Sequence, residues 1–146
     1  MFVIMAHRHG RHRKADEPEV VPVRANNAIG AYGERVAVQH LQSAGYTIVA
    51  RNWRCDLGEI DVVALAPAGS AGRPCLVVCE VKTRRGLGYG SGFDAVTPGK
   101  AARLRRLGHR WLEQSDAPPG AVLRFDIVAV HLGRGEPRVD HLQGAF

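Results

Sequence analysis

Apolar positions along the chain recur at helical spacing in two segments. The first segment runs from residue 26 or 27 to residue 44 and stops at Gly45, and the second runs from residue 98 to about residue 114. In both segments apolar residues are three or four positions apart, which is the spacing of an amphipathic helix with one buried face. Thr97 and Pro98 form a typical helix start, since threonine caps the first turn and proline needs no N–H partner there. We therefore predict one helix in each segment.

Apolar and β-branched runs of strand length lie around these helices. They occupy residues 46–51, 59–66, 75–82, 122–132 and, as a short last run, 138–142. The run at 75–82 is almost continuously apolar, as expected of a central strand buried on both faces. A turn at 56–58 and loops at 67–74 and 86–93 separate the runs, and the glycine-rich loop at 86–93 is either a plain connector or a lid. The order helix, strand, strand, strand, helix, strand predicts an α/β domain with a mixed central sheet flanked by helices.

The length of 146 residues corresponds to one domain. We place a basic, mobile arm at residues 1–25 and the domain at residues 26–146, because the first segment combines a His/Arg run with prolines. The arm is either an inert solvated tail or a contact for phosphates. No segment approaches the roughly 20 apolar residues of a membrane helix, and the three cysteines lack zinc-type spacing. We therefore expect a soluble, cytoplasmic protein with free thiols and no membrane partner.

Positive charge narrows the class of partner. The chain carries 20 Lys and Arg against 14 Asp and Glu, which gives a net charge of +6 and a pI near 9.8. This balance favours a polyanion such as nucleic acid. On the second predicted helix Arg103, Arg106 and Arg110 share a face, and Lys100 lies at the helix start. The stripe suits a phosphate backbone, but it is equally compatible with an ordinary solvated helix face.

Three charged residues stand where strand patterning makes charge expensive. Asp61 lies in one apolar strand, and Glu80 and Lys82 lie in the next. Side chains alternate along a strand, so Glu80 and Lys82 point the same way, about 6.6 Å apart, while the carbonyl of Val81 stays close to them. If the two strands are neighbours in the sheet, Asp61 lies beside Glu80. Carboxylates brought together in an apolar setting indicate a divalent metal such as Mg²⁺, with an ammonium available for a water or a phosphate oxygen.

Lysine is scarce in this chain, which strengthens the case that Lys82 has a specific role. Of the 20 basic residues only Lys14, Lys82 and Lys100 are lysine, and the other 17 are arginine. An ammonium can shift its pKa and lose its proton, which a guanidinium does not do in proteins, so such a lysine indicates a specific task. A surface lysine paired with Glu80 is the plain alternative. Glu34 borders the apolar stripe of the first helix. It either reaches the site of Asp61 and Glu80 or stabilises the first helix by interacting with the helix dipole.

A set of short motifs extends over about residues 28 to 146. The motifs are Gly33-Glu34, Gly45-Tyr46, Arg51-Asn52, Gly58-Glu59-Ile60-Asp61, Glu80-Val81-Lys82-Thr83-Arg84, Lys100, Arg124-Phe125-Asp126 and Ala145-Phe146. With them the chain resembles the PD-(D/E)XK restriction-endonuclease-like superfamily, Asp61 being the aspartate and residues 80–82 the E-x-K. It is closer still to the uncharacterised YraN-like family, which is similar to archaeal Holliday-junction resolvases. Cys79 departs from that family's usual valine, an exchange of one apolar residue for another.

What the resemblance implies is a Mg²⁺- or Mn²⁺-dependent nuclease for branched or flapped DNA. In that reading Asp61, Glu80 and the Val81 carbonyl hold the metal, and Glu34 binds a second ion or a metal-bound water. Lys82 orients the attacking water and stabilises the charge that develops on the phosphorus-centred transition state. The expected contacts to the DNA backbone are Arg84, Lys100, Arg103, Arg106 and Arg110. Resolvases commonly pair to cut two strands, so a homodimer is compatible with the likeness. The main alternative is a nucleic-acid-binding accessory protein that keeps the fold with little or no catalysis, and a less favoured one is a phosphoesterase for another substrate.

Overall fold

A computed structural model describes residues 23–69, 72–86 and 96–146, and this part of the chain forms two helices and five strands. In chain order the elements are α1 (Val23–Ser43), β1 (Thr47–Cys55), β2 (Gly58–Leu65), β3 (Cys75–Arg85), α2 (Pro98–Gln114), β4 (Val122–Leu132) and β5 (Arg138–Leu142). The predicted α/β class is confirmed, as is the order helix, strand, strand, strand, helix, strand.

The five strands form one mixed sheet with the spatial order β1-β2-β3-β4-β5. The pairs β1–β2, β2–β3 and β4–β5 are antiparallel, whereas β3 and β4 run parallel over the whole length of both strands. A parallel pair needs a crossover connection, and α2 lies in the segment that supplies it. β3 is the third of the five strands and thus the central one, and Leu76–Cys79 in its first half are buried, as the apolar run predicts.

The two helices pack against separate hydrophobic cores on opposite faces of the sheet. The core under α1 contains Ala37, Leu41, Val62, Val77, Cys79, Val128 and Val130. The core under α2 contains Ile60, Val63, Leu76, Val78, Leu104, Leu107, Trp111 and Phe125. α2 begins as the sequence predicts, with Thr97 as the capping residue whose Oγ1 accepts the backbone N–H of Lys100 at 3.2 Å. This cap fixes the first turn of α2 and thereby the position of Lys100.

Three element boundaries differ from the predicted ones by more than one residue. α1 begins at Val23 instead of residue 26 or 27. In the sequence Val23 directly follows a proline, and no proline or glycine lies between residue 23 and the predicted start. β1 continues to Cys55 because its polar end pairs with the start of β2. β3 continues to Arg85 because its backbone keeps pairing with β4. Backbone pairing does not require apolar side chains, so hydrophobic patterning alone ends these strands early.

Three predicted segments lie partly outside the described residues. These are residues 1–22 of the predicted N-terminal arm, residues 70–71 of the predicted loop at 67–74 and residues 87–93 of the predicted loop at 86–93. Within the described ranges, no helix combines the length and the apolar character needed to cross a bilayer.

Candidate functional site

β2 and β3 separate at the level of Asp61 and Glu80. Their ladder pairs Val62–Leu65 with Leu76–Cys79 and ends at the pair Val62–Cys79. Asp61 and Glu80 are the next residue on each strand, so the structure brings them side by side, as predicted for sequential neighbours. Instead of a further ladder bond, the backbone N–H of Val81 donates to the Asp61 carboxylate at Oδ2, at 2.8 Å. The opened end of this ladder is the candidate site.

A local break in β2 turns Asp61 towards β3. Ile60 packs in the core under α2 and Val62 in the core under α1, whereas an unbroken strand would place both on one face. On β1, Asn52 lies opposite Asp61, between the pairs Arg51–Val62 and Trp53–Ile60, and has a φ of 50°. Asparagine is among the few side chains that tolerate this left-handed conformation. The break therefore involves both strands of the hairpin at the level of Asp61.

Asp61 is the most perturbed acid of this site. Burial, which disfavours the charged form, raises its pKa from 3.8 to about 7, and the negative charges of Glu80, Glu34 and Glu59 act in the same direction. The N–H of Val81 opposes the rise. From the described residues, the other carboxylate oxygen of Asp61 receives no hydrogen bond. A cation at this position would offset both the cost of burying the charged Asp61 carboxylate and its repulsion by the neighbouring acids.

Glu80 lies on the face of the sheet that α2 covers, and two lysines contact it there. The Lys100 Nζ is 2.8 Å from the Glu80 Oε1, and the Lys82 Nζ is 3.4 Å from the same oxygen. Burial and the hydrogen bond with Lys100 lower the pKa of Lys82. Burial would also lower the pKa of Lys100, but its hydrogen bonds to Glu80 and Lys82 outweigh this and raise it. Of the two ammonium groups, Lys82 is the one that loses its proton more readily.

Glu34 and Asp61 share a cleft on the opposite face, the one that α1 covers. The cleft has a volume of about 470 Å³. We call it the Asp61 cleft, and its lining residues are Ile29, Gly30, Glu34, Asp61, Val81, Thr83, Arg84 and Arg85. Gly33 allows α1 to approach β3 this closely, because a Cβ at position 33 would lie 1.9 Å from the Thr83 Oγ1. The absence of a side chain at position 33 thus positions Glu34 at the cleft.

The predicted catalytic residues therefore meet at one end of the sheet, but they do not line one cleft. Glu34 and Asp61 face the α1 side, Glu80 and Lys82 face the α2 side, and the Val81 backbone lies between them. Among the described residues, no three His, Cys, Asp or Glu side chains are arranged as a complete metal-binding group.

The five predicted backbone contacts occupy different environments. Arg84 is exposed in the Asp61 cleft, and Arg103 and Arg106 are exposed on α2. Arg110 is instead held by Asp56, with its Nη1 2.7 Å from the Asp56 Oδ1. Lys100 is held by Glu80 and belongs to the candidate site itself. Sequence reasoning assigned Lys100 to DNA contacts only, although its scarcity as a lysine and its place one turn after Thr97 were visible signals.

Comparison with known proteins identifies the family. The family model described as "Uncharacterised protein family UPF0102" matches residues 33–130. The chain belongs to this family. It is 50% identical over 125 residues to the UPF0102 protein of Parafrankia sp. (strain EAN1pec), covering 85% of this chain and 100% of the relative. It is 51% identical over 126 residues to that of Kineococcus radiotolerans (86% and 98% covered) and 50% identical over 123 residues to that of Streptomyces coelicolor (82% and 89% covered).

The UPF0102 match confirms the YraN-like resemblance read from the motifs. The matched range contains Glu34, Asp61, Glu80, Lys82 and Lys100. The family description names no activity, so the chemistry of the site has to be argued from the residues themselves.

Another motif of this UPF0102 chain forms a buried ionic network away from the Asp61 cleft. The Asp126 side chain is fully buried and accepts hydrogen bonds from Arg124 at 2.9 and 2.7 Å and from the backbone N–H of Gly144 at 3.0 Å. The His141 Nε2 lies 2.7 Å from the same carboxylate, and Arg124 also donates to the Tyr46 hydroxyl at 2.9 Å. Burial alone would raise the pKa of Asp126, but these partners outweigh it and lower it. The network ties β4 to the start of β1 and to the C-terminal residues.

Proposed function

We propose that this UPF0102 protein hydrolyses DNA phosphodiester bonds with a Mg²⁺ or Mn²⁺ ion bound at the open end of the β2–β3 ladder. The observation that carries the proposal is the adjacency of Asp61 and Glu80 past the last ladder pair, with Lys82 in contact with Glu80. Neither a structural ion pair nor a hydrophobic core requires a buried acid with a pKa near 7 between three other acids. Perturbed acids of this kind cluster at functional sites.

The donor atoms at this place fit a hard divalent cation. Carboxylate oxygens of Asp61 and Glu80 and the carbonyl oxygen of Val81 would hold it, and Glu34 would bind a second ion or a water molecule. Mg²⁺ is commonly bound by one or two carboxylates together with waters and substrate phosphates, without a full cage of protein ligands. The two-carboxylate arrangement matches that pattern. When bound, such an ion lowers the pKa of water and neutralises charge on the phosphate.

The two lysines divide the remaining chemistry in this proposal. Lys82, whose pKa is lowered, orients the attacking water and is able to accept its proton. Lys100, whose pKa is raised, keeps its charge and stabilises the negative charge that develops on the phosphate. An arginine would not replace Lys82, because a guanidinium does not lose its proton in proteins. This division gives a physical reason for two lysines in an otherwise arginine-rich chain.

The nature of the substrate is supported by charge. The net charge of +6 and the exposed Arg84, Arg103 and Arg106 favour a polyanion. The chain has few aromatic residues for base stacking, so we propose that it recognises the backbone or shape of DNA. Branched DNA is the substrate to test first, because the resolvase resemblance suggests it.

The direct test is cleavage of a labelled four-way junction and a flap with Mg²⁺ or Mn²⁺. We expect the intact protein to cut at least one substrate, and Asp61→Asn and Glu80→Gln to lose about 100-fold or more in rate, since each removes a metal-binding charge. Glu113→Gln, which removes one exposed acid from α2, is the matched control and should cut normally. Binding without cutting by the intact protein would contradict the proposal and favour the accessory role.

A further inference from the structure

A second groove lies next to the Asp61 cleft, along the end of the sheet where β3 stops and β4 turns into β5. Its volume is about 1090 Å³. Its lining residues are Ile29, Arg85, Gly86, His131, Leu132, Gly133, Arg134, Glu136 and Arg138. We call it the arginine groove. Because Ile29 and Arg85 line both the groove and the Asp61 cleft, the two are adjacent.

Positive charge dominates this groove. Arg85, Arg134 and Arg138 are exposed, and Glu136 is the one acid among the described lining residues. Arg138 is partly engaged, with its Nη2 3.2 Å from the Asp140 Oδ2. Arg85 and Arg134 form no ion pair with any other described residue. Within the described part of the chain, no acid neutralises these two guanidinium groups.

The helix stripe that the sequence suggested for DNA offers less available charge. Lys100 is bound to Glu80 and Arg110 to Asp56, at 2.8 and 2.7 Å, so Arg103 and Arg106 remain exposed on that helix. They lie on α2, on the face of the sheet opposite the Asp61 cleft and on the same side as Glu80, Lys82 and Lys100. The arginine groove, in contrast, borders the Asp61 cleft.

We propose that the arginine groove binds the phosphodiester backbone of the DNA strand that enters the Asp61 cleft. The inference rests on the proposed function, since it takes that cleft as the place of cleavage. Guanidinium groups match phosphate oxygens with two parallel hydrogen bonds. No Phe, Tyr or Trp is among the described lining residues, so the groove contacts the backbone and not the bases. Its volume exceeds the usual 300 to 1,000 Å³ or so of a small-molecule pocket, which suits an extended polymer.

The test compares two double variants with the same change in charge. Arg85→Gln/Arg134→Gln alters the groove, and Arg103→Gln/Arg106→Gln alters α2. Both are made in an Asp61→Asn background, so that binding is measured without cleavage. Anisotropy of a labelled four-way junction is followed from about 50 to 200 mM salt with EDTA, and melting curves verify that each variant is folded. The slope of log K against log salt is negative, and each lost phosphate contact should make it shallower by about 1.

We expect the negative slope of the groove variant to be shallower by about 2 than that of the Asp61→Asn parent. The slope of the α2 variant should change by less. Equal affinity and slope for the groove variant and the parent would overturn the groove while leaving hydrolysis by the intact protein untouched. Groove-dependent binding combined with no cutting by the intact protein would support the groove and overturn the proposed hydrolysis. No binding by the parent would overturn the groove assignment, and cleavage by the intact protein would then decide the proposed hydrolysis on its own.

Discussion

Replacing Asp61 with asparagine should make the metal-free protein more stable above neutral pH. Asparagine keeps the size of the side chain and still offers an oxygen to the N–H of Val81, which donates to Asp61 at 2.8 Å. What disappears is a partly buried negative charge near Glu80, Glu34 and Glu59. The change thus isolates the electrostatic strain that the proposed metal would relieve.

The sign and size follow from the pKa of Asp61. That pKa rises from 3.8 to about 7 on folding, so the folded state binds the proton more tightly, and the group stabilises the fold below about pH 4. This stabilisation is lost as the pH rises through about 7. A pKa difference of this size corresponds to about 4 kcal/mol, and solvent in the open cleft reduces it to about 2 to 4 kcal/mol. Asp61→Asn should recover that free energy of unfolding at about pH 8 and show little gain at about pH 4.

The assay is urea unfolding of both proteins in EDTA between about pH 4 and pH 8.5. The difference in unfolding free energy should grow between about pH 4 and pH 7 and level off above about pH 7, where Asp61 is ionised in both the folded and the unfolded state. Glu113→Gln, which removes an exposed acid of α2, controls for net charge. A constant difference between the intact protein and Asp61→Asn, or a less stable Asp61→Asn at high pH, would refute the reasoning about buried like charges.

Three further outcomes are expected. Millimolar Mn²⁺ should raise the melting temperature of the intact protein and not that of Asp61→Asn, since a ligand of the native state stabilises it; equal shifts in thermal melts would speak against this site. Asp126→Ala should cost about 3 to 5 kcal/mol in urea unfolding because Arg124 loses its buried partner, and a cost below about 1 kcal/mol would contradict a stabilising network. Gly33→Ala should destabilise by about 1 to 3 kcal/mol, because the new Cβ collides with Thr83. Gly30 lies in the same helix, and a Cβ added there would have nothing within 4 Å, so Gly30→Ala should raise the free energy of unfolding by up to about 1 kcal/mol. Equal effects of the two glycine changes would count against the close approach of α1 to β3 at Gly33.

The pairing of Asp61 with Glu80 was predictable because it depends on local rules. Sequential strands tend to be neighbours in a sheet, and side chains alternate along a strand, so Glu80 and Lys82 had to share a face. The β2–β3 register brings Asp61 level with Glu80 in this way. The sheet order was predictable for the same reason, with a helix supplying the one parallel crossover.

The distribution of the site over two faces was not predictable. It depends on the break in β2 at Asp61 and on the left-handed Asn52 opposite, and neither has a hydrophobic signature. The contact between Lys100 and Glu80 depends on how α2 packs over the sheet, which periodicity does not specify. The arginine groove combines the end of β3 with the β4–β5 turn, residues about 50 positions apart that only the parallel pairing of β3 with β4 brings together.

The most direct measurement of the central claim is the anomalous signal of Mn²⁺ in a crystal of Asp61-containing protein soaked with the metal and a short DNA. The account predicts a peak between Asp61 and Glu80, bound by both carboxylates and the Val81 carbonyl. In an Asp61→Asn crystal that peak should be absent. A metal bound elsewhere, with Glu80 still held by Lys82 and Lys100 in the presence of DNA, would contradict the account.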